Sequence, residues 1–183
     1  MTVEVPRFID LTAPGALACV SGPVTDIPGR LLRALLLRKP YLPWHGEELA
    51  RLFPDEPASM MARTLFRLHH EGCIEVSLTQ PAPYERLGAS LTIALQPLID
   101  EGASSAALFD QDGFVIAQAG GGSLLPDDPL AALPTDLVRL HVGEGAMSTV
   151  YGLALHGIAI AKCSSLAGFL RCLFRIRATH ACL

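Results

Sequence analysis

Between residues 103 and 119 two apolar runs, Ala103 to Phe109 and Phe114 to Ala119, are joined by Asp110-Gln111-Asp112-Gly113. An Asp-Gly pair supplies the positive φ angles that a tight hairpin needs, so the runs are read as two antiparallel strands. The rest of the back half is built around this hairpin. Ahead of it, Leu87, Leu91, Leu95 and Leu98 fall on one face of a helix over 87–99, whose end Pro97 bends or shortens. Behind it, residues 137–142, 149–155 and 157–162 supply three more strands, the first pair joined around Gly143-Glu144-Gly145. A helix over 166–177 closes the chain, with Leu166, Leu170 and Leu173 inside and Arg171, Arg175 and Arg177 outside or facing a partner.

The front half has helical periodicity instead. Residues 1–26 carry Pro6, Pro14, Gly15, Gly22 and Pro23 around short apolar runs, which reads as an irregular, packed lead-in with room for one short strand. From Ile27, Leu32, Leu35 and Leu36 recur at helical spacing, with Arg30, Arg33 and Arg38 elsewhere around the wheel; Asp26 caps this helix, Pro28 sits in its first turn and Pro40 stops it. Gly46 to Phe53 is a second helix, bounded by Pro54. Pro57 to Gly72 is a third, with Met61, Leu65 and Leu68 inward and Gly72 as its left-handed cap. Cys73 to Leu78 alternates with the period of a strand. Gln80-Pro81-Ala82-Pro83 then marks a linker, which divides the chain into a lead-in (1–26), a first domain (27–80) and a second (86–183).

Composition narrows the classes. Half of the 183 residues are hydrophobic, which excludes disorder, while only 17% are charged against about 25% in typical soluble domains. With a mean hydropathy of +0.38, part of the apolar surface is expected to lie against a partner. The net charge is −4 and both halves, split at Glu85, are acidic, the opposite of a strong nucleic-acid binder. Five widely spaced cysteines with no C-x-x-C pair give neither a disulfide framework nor a zinc ribbon and fit a reducing cytosol. The acidic, proline-interrupted start lacks the pattern of a secretory signal. Residues 145–161 are uncharged over 17 positions, yet they hold three glycines and His156 and read as two strands around a His-Gly turn, so no membrane span is expected. Cys182 lies one residue from the end and forms no prenylation box.

Three helices followed by a strand, with the third running into His69-His70-Glu71-Gly72-Cys73-Ile74-Glu75-Val76, resemble the winged-helix family over residues 27–78. That resemblance implies a third helix able to enter the major groove. Here its outer face offers Arg63 and Arg67 with Ser59 and Thr64, while Asp55, Glu56 and Glu71 oppose phosphate, so protein contact is favoured over DNA. The back half, and most specifically Glu101 to Ala117 with its glycine, apolar strand, aspartate-x-aspartate-glycine turn and second strand, resembles the roadblock/dynein-light-chain family and its longin and profilin-like relatives over residues 87–178. The fold class implied is α+β: a winged-helix-like domain, then a roadblock-like α-β-β-β-β-β-α sandwich of antiparallel sheet and helices. One departure matters. Between its second and third strands that family carries a long helix used in dimer contacts, whereas Gly120 to Pro134 holds three consecutive glycines and three prolines.

No constellation reads as an active site. Gly120-Gly121-Gly122-Ser123 lacks the lysine and helix N-terminus of a phosphate loop and is read as a connector. His69, His70 and Cys73 have no identifiable fourth ligand, and the two histidines are read instead as opposing a helix C-terminal dipole. Asp110 and Asp112 begin like a calcium loop, but position twelve is Gly121. Ser104, Ser105, Ser164 and Ser165 sit in no nucleophile elbow. The expectation is a non-enzymatic cytoplasmic chain with no catalytic, metal or cofactor residues, and with Arg63, Arg67, Arg171 and Arg175 as interaction candidates. The roadblock resemblance implies a regulatory or adaptor role with a protein partner, either a small Ras-like GTPase or further copies of the chain. The alternative is a winged-helix transcriptional regulator with a dimerising or ligand-sensing roadblock-like domain.

Overall fold

The computed structural model describes residues 7–21, 24–38, 43–44, 46–80, 90–121, 136–143 and 148–180. The described part of the lead-in packs against the end of the front half. Strand β1 (Phe8–Leu11) is followed by a short helix, α1 (Ala13–Ala18), where an irregular stretch was expected. Pro14 is tolerated because it lies in the first turn, and Thr12 caps that turn by accepting from the Gly15 amide at 3.3 Å. Gly15 is required for close approach: a Cβ there would lie 1.8 Å from the Cys73 carbonyl oxygen.

Helices α2 (Ile27–Leu37), α3 (Gly46–Leu52) and α4 (Ala58–His70) form where periodicity places them. Asp26 caps α2, accepting from Gly29 N at 3.1 Å, and Leu31, Leu32, Leu35 and Leu36 are buried. In α4, Met61, Thr64 and Leu68 are buried and Leu65 is half-buried. Gly72, at φ 70°, lets the Cys73 amide reach back to the Leu68 carbonyl at 2.8 Å and turns the chain into strand β2 (Ile74–Ser77). Strand β2 pairs antiparallel with β1, Phe8 opposite Ser77 and Leu11 opposite Ile74.

The back half begins with α5 (Leu91–Asp100), which buries Ala94, Leu95 and Leu98; its expected start at Leu87 lies outside the described residues. Strands β3 (Ser105–Phe109), β4 (Val115–Gly120), β5 (Asp136–Val142) and β6 (Thr149–His156) form an antiparallel sheet in the order β4-β3-β6-β5. The hairpin turn is held by Asp110, whose Oδ1 accepts from the amides of Asp112 (3.0 Å) and Phe114 (2.8 Å), with Gly113 at φ 88°. Helix α6 (Leu166–His180) closes the fold, with Leu166, Phe169, Leu170 and Leu173 buried.

The expected strand over 157–162 is not formed. Gly157 (φ 96°) ends β6, and Ile160–Lys162 make a single 3-10 turn. The amide of Ile160 bonds the Asp136 carboxylate at 2.8 Å, which draws the fully buried Ile160 side chain into the core and takes the segment out of the ladder. The linker residues 81–83, the connection at 122–134 and the turn at 144–145 lie outside the described residues. Among the described residues the architecture is therefore α+β, with six helices and two antiparallel sheets of two and four strands. One contiguous hydrophobic core contains residues from both halves, including Leu31, Leu36 and Met61 as well as Leu108, Leu153 and Phe169. No helix among the described residues is long and apolar enough to cross a membrane.

Candidate functional site

The cross-strand register sorts the four-stranded sheet into two faces, because directly paired residues share a side. Ala106, Leu108, Ala117, Ala119, Leu153, Leu155 and Leu140 belong to the face that enters the core with α5 and α6. On the opposite face, one transverse row runs Val115, Phe109, Gly152, Arg139 and the next runs Gln118, Ala107, Ala154, Leu137. Among the described helices, α5 lies on β3 and β4, and α6 on α1, α2 and α5.

This second face carries exposed apolar residues at its rim, while Ala107 and Ala154 at its centre are buried. Leu137, on the β5 edge, is 59% exposed and Val115, on the opposite β4 edge, is exposed too, while Phe114, at the hairpin, is 70% exposed. Gly152 lies between Phe109 and Leu137, since a Cβ there would be 3.5 Å from the Phe109 Cβ and 3.8 Å from a Leu137 methyl. A side chain at 152 would interrupt the apolar strip that these residues make. Arg139, at the end of that row, is the exposed cation of the face.

A second exposed surface lies on α4. Arg63 and Arg67 both point to solvent, as the helical spacing requires, and Arg67 has Glu71 at 3.7 Å one turn on. Between them stands Phe66, 75% exposed and stacked on His70 at 6.4 Å, with Met60 exposed a turn earlier. Thr64, expected on this outer face, is buried and donates to the Met60 carbonyl at 2.9 Å.

The two arginines singled out on α6 have different settings. Arg175 is exposed. Arg171 is directed inward: its Nη2 pairs with Asp10 Oδ1 at 2.5 Å and its Nε donates to the Leu36 carbonyl at 3.0 Å, so it joins α6 to β1 and α2. Arg33, which the sequence places only around the α2 wheel, makes the reciprocal link. Its guanidinium donates to the carbonyls of Gly143 (2.7 Å), His141 (3.1 Å) and Cys19 (3.5 Å) and lies over the Phe174 ring. Helical spacing gives a side chain's angle on its wheel but not the carbonyls that await it, so neither role was legible.

The structure also brings together Ser104 and His156, which lie 52 residues apart. Ser104 Oγ is 2.9 Å from His156 Nδ1 and 3.1 Å from the His156 carbonyl, and Ser104 N donates to that same carbonyl at 2.8 Å. The contact extends the β3–β6 ladder by one residue. Nucleophile activation needs a third group orienting the histidine and donors for an oxyanion, and among the described residues the His156 ring has only its Ser104 contact. Burial pushes the Cys19 thiol up to about 12 and the Cys163 thiol up to about 11, the second with help from the Glu101 and Asp136 charges, so both are poor nucleophiles. Among the described residues no three potential ligands gather to hold a metal ion. No protein-family model, curated protein or solved structure matches the chain.

Proposed function

We propose that this chain is a non-catalytic regulatory or adaptor protein that binds a protein partner through the outer face of its four-stranded sheet. The observation that carries the reading is the apolar strip across that face, from Val115 through Phe109 and Gly152 to Leu137, with Phe114 beside it. Each large aliphatic or aromatic side chain moved out of water contributes about 1.5 to 3 kcal/mol, so a strip of this size favours being covered. The roadblock-like resemblance of the back half supplies the partner classes, a small Ras-like GTPase or a second copy of the chain. The winged-helix-like front half serves as a further docking surface, because α4 sets the exposed Phe66 and Met60 beside its two arginines, a composition that suits protein more than phosphate.

The test is a titration of the purified chain with a purified Ras-like GTPase, loaded in turn with GDP and a non-hydrolysable GTP analogue. Binding that is lost in a Leu137→Asp chain of unchanged circular dichroism supports the proposal. A chain that stays monomeric and binds neither loaded form counts against it.

A further inference from the structure

A groove of about 1030 Å³ opens between α2 and α3, floored by the end of β5. Its wall on α2 is a single ridge, Arg30, then Arg33 and Ala34, then Leu37, which at 1.5 Å per residue extends roughly 10 Å. The wall on α3 offers Glu48, Arg51 and Leu52 one turn apart. Among the described residues, four arginines and one carboxylate therefore line a cleft in a protein whose net charge is −4.

Three of the four arginines have a carboxylate within 4.0 Å, but the pairs of Arg30 and Arg51 are long or screened by solvent, which leaves those two guanidinium groups able to take a further carboxylate. Glu48 is taken by Arg38, at 2.5 Å, and Arg38 is further fixed over the Trp44 ring. Arg33 bonds only carbonyl oxygens, which carry no formal charge, and its buried Nε has no hydrogen-bond partner among the described residues. Arg30 lies flat over the Phe53 ring, 5.1 Å from its centre, with Glu56 no nearer than 4.0 Å. Arg51 and Glu47 are both mostly exposed, so their 3.7 Å pair is screened by solvent. Next to these cations Leu37 and Leu52 are exposed apolar side chains.

We infer that this groove is a docking site for an acidic, partly apolar peptide segment of a protein partner. Guanidinium groups recognise carboxylates with paired hydrogen bonds, and Leu37 and Leu52 provide apolar contacts that a bare phosphate or a nucleic-acid backbone would not use. The volume stands at the upper end of the roughly 300 to 1,000 Å³ usual for small-molecule pockets, and the ridge along two turns of α2 suits an elongated occupant, as when an amphipathic helix lies in a groove. The inference extends the adaptor reading to a third surface and rests on it only in taking the partner to be a protein.

The test uses the full chain and fluorescence anisotropy with a labelled twelve-residue peptide carrying Glu and Leu at alternate helical turns. Saturable binding in the micromolar range is expected, at least tenfold weaker for the matched peptide with Lys in place of Glu. Arg30→Gln with Arg51→Gln, both at exposed positions, should weaken it at least tenfold while the melting temperature holds. Equal affinity for the two peptides, undiminished binding by the double variant, or complete displacement by inorganic phosphate at the peptide's own concentration would overturn the inference. Light scattering on the unaltered chain reads the sheet face separately. Peptide binding by a chain that neither self-associates nor binds the Ras-like GTPase keeps the groove and removes the sheet reading, and association without peptide binding removes the groove alone.

Discussion

Gly113 and Gly121 are both exposed, and a Cβ added at either would meet nothing within 4 Å, yet only Gly113 holds a left-handed φ of 88°. Gly113→Val should therefore lose about 1 to 3 kcal/mol, because a β-branched residue is strained in that region, whereas Gly121→Val should stay near the parent in thermal melts. Equal melting temperatures would contradict the hairpin account. The thiols make a second prediction at this scale. With the Cys19 pKa at about 12, only about one thiol in ten thousand is ionised at pH 8, and alkylation requires the thiolate. Peptide-resolved labelling of the folded chain at pH 8 should leave Cys19 and Cys163 unmodified while the half-buried Cys73 reacts sooner than either. Rapid labelling of Cys19 in native protein would show that its burial is wrong.

At the scale of elements, α4 is the place where protein and DNA readings part. Replacing Arg63 and Arg67 with Ala should leave stability within about 0.5 kcal/mol, since both are solvent-facing, and should reduce partner binding. Sub-micromolar, arginine-dependent binding to duplex DNA at physiological salt, with a slope that falls on substitution, would favour the transcriptional reading instead. Helices such as α2 and α4 were legible because their apolar residues repeat at helical spacing between clear stops, Asp26 before one and Gly72 after the other. Helix α1 was not, because Pro14 and Gly15 resemble breakers until Thr12 is seen to cap them and Cys73 to press on Gly15. The stretch 157–162 has a strand's apolar content, but an amide bond to Asp136, 24 residues earlier, decides its conformation. The candidate surfaces were legible only in part: exposed Arg63 and Arg67 follow from periodicity, whereas the apolar strip exists only once the strand order sets Phe109 between Val115 and Gly152.

In the whole molecule the two halves are joined by a continuous core and by arginines crossing in both directions, Arg33 to the end of β5 and Arg171 to Asp10 and Leu36. The backbone adds a bond from the His141 amide to the Val20 carbonyl at 2.7 Å. Calorimetry should accordingly show one unfolding transition, and Arg171→Met should cost on the order of 3 kcal/mol by leaving the Asp10 charge largely buried and unpaired. Two separated transitions would show that the halves are energetically independent. A frame held this firmly would offer its sheet face to the proposed partner as a preformed surface. Multi-angle light scattering at tens of micromolar, on the unaltered chain and on Leu137→Asp, alone and with a purified Ras-like GTPase, tests that claim most directly. The account predicts a mass above the monomer, either alone or with the GTPase, that returns to monomer in Leu137→Asp; a monomer under every condition, or association that Leu137→Asp leaves unchanged, would contradict it.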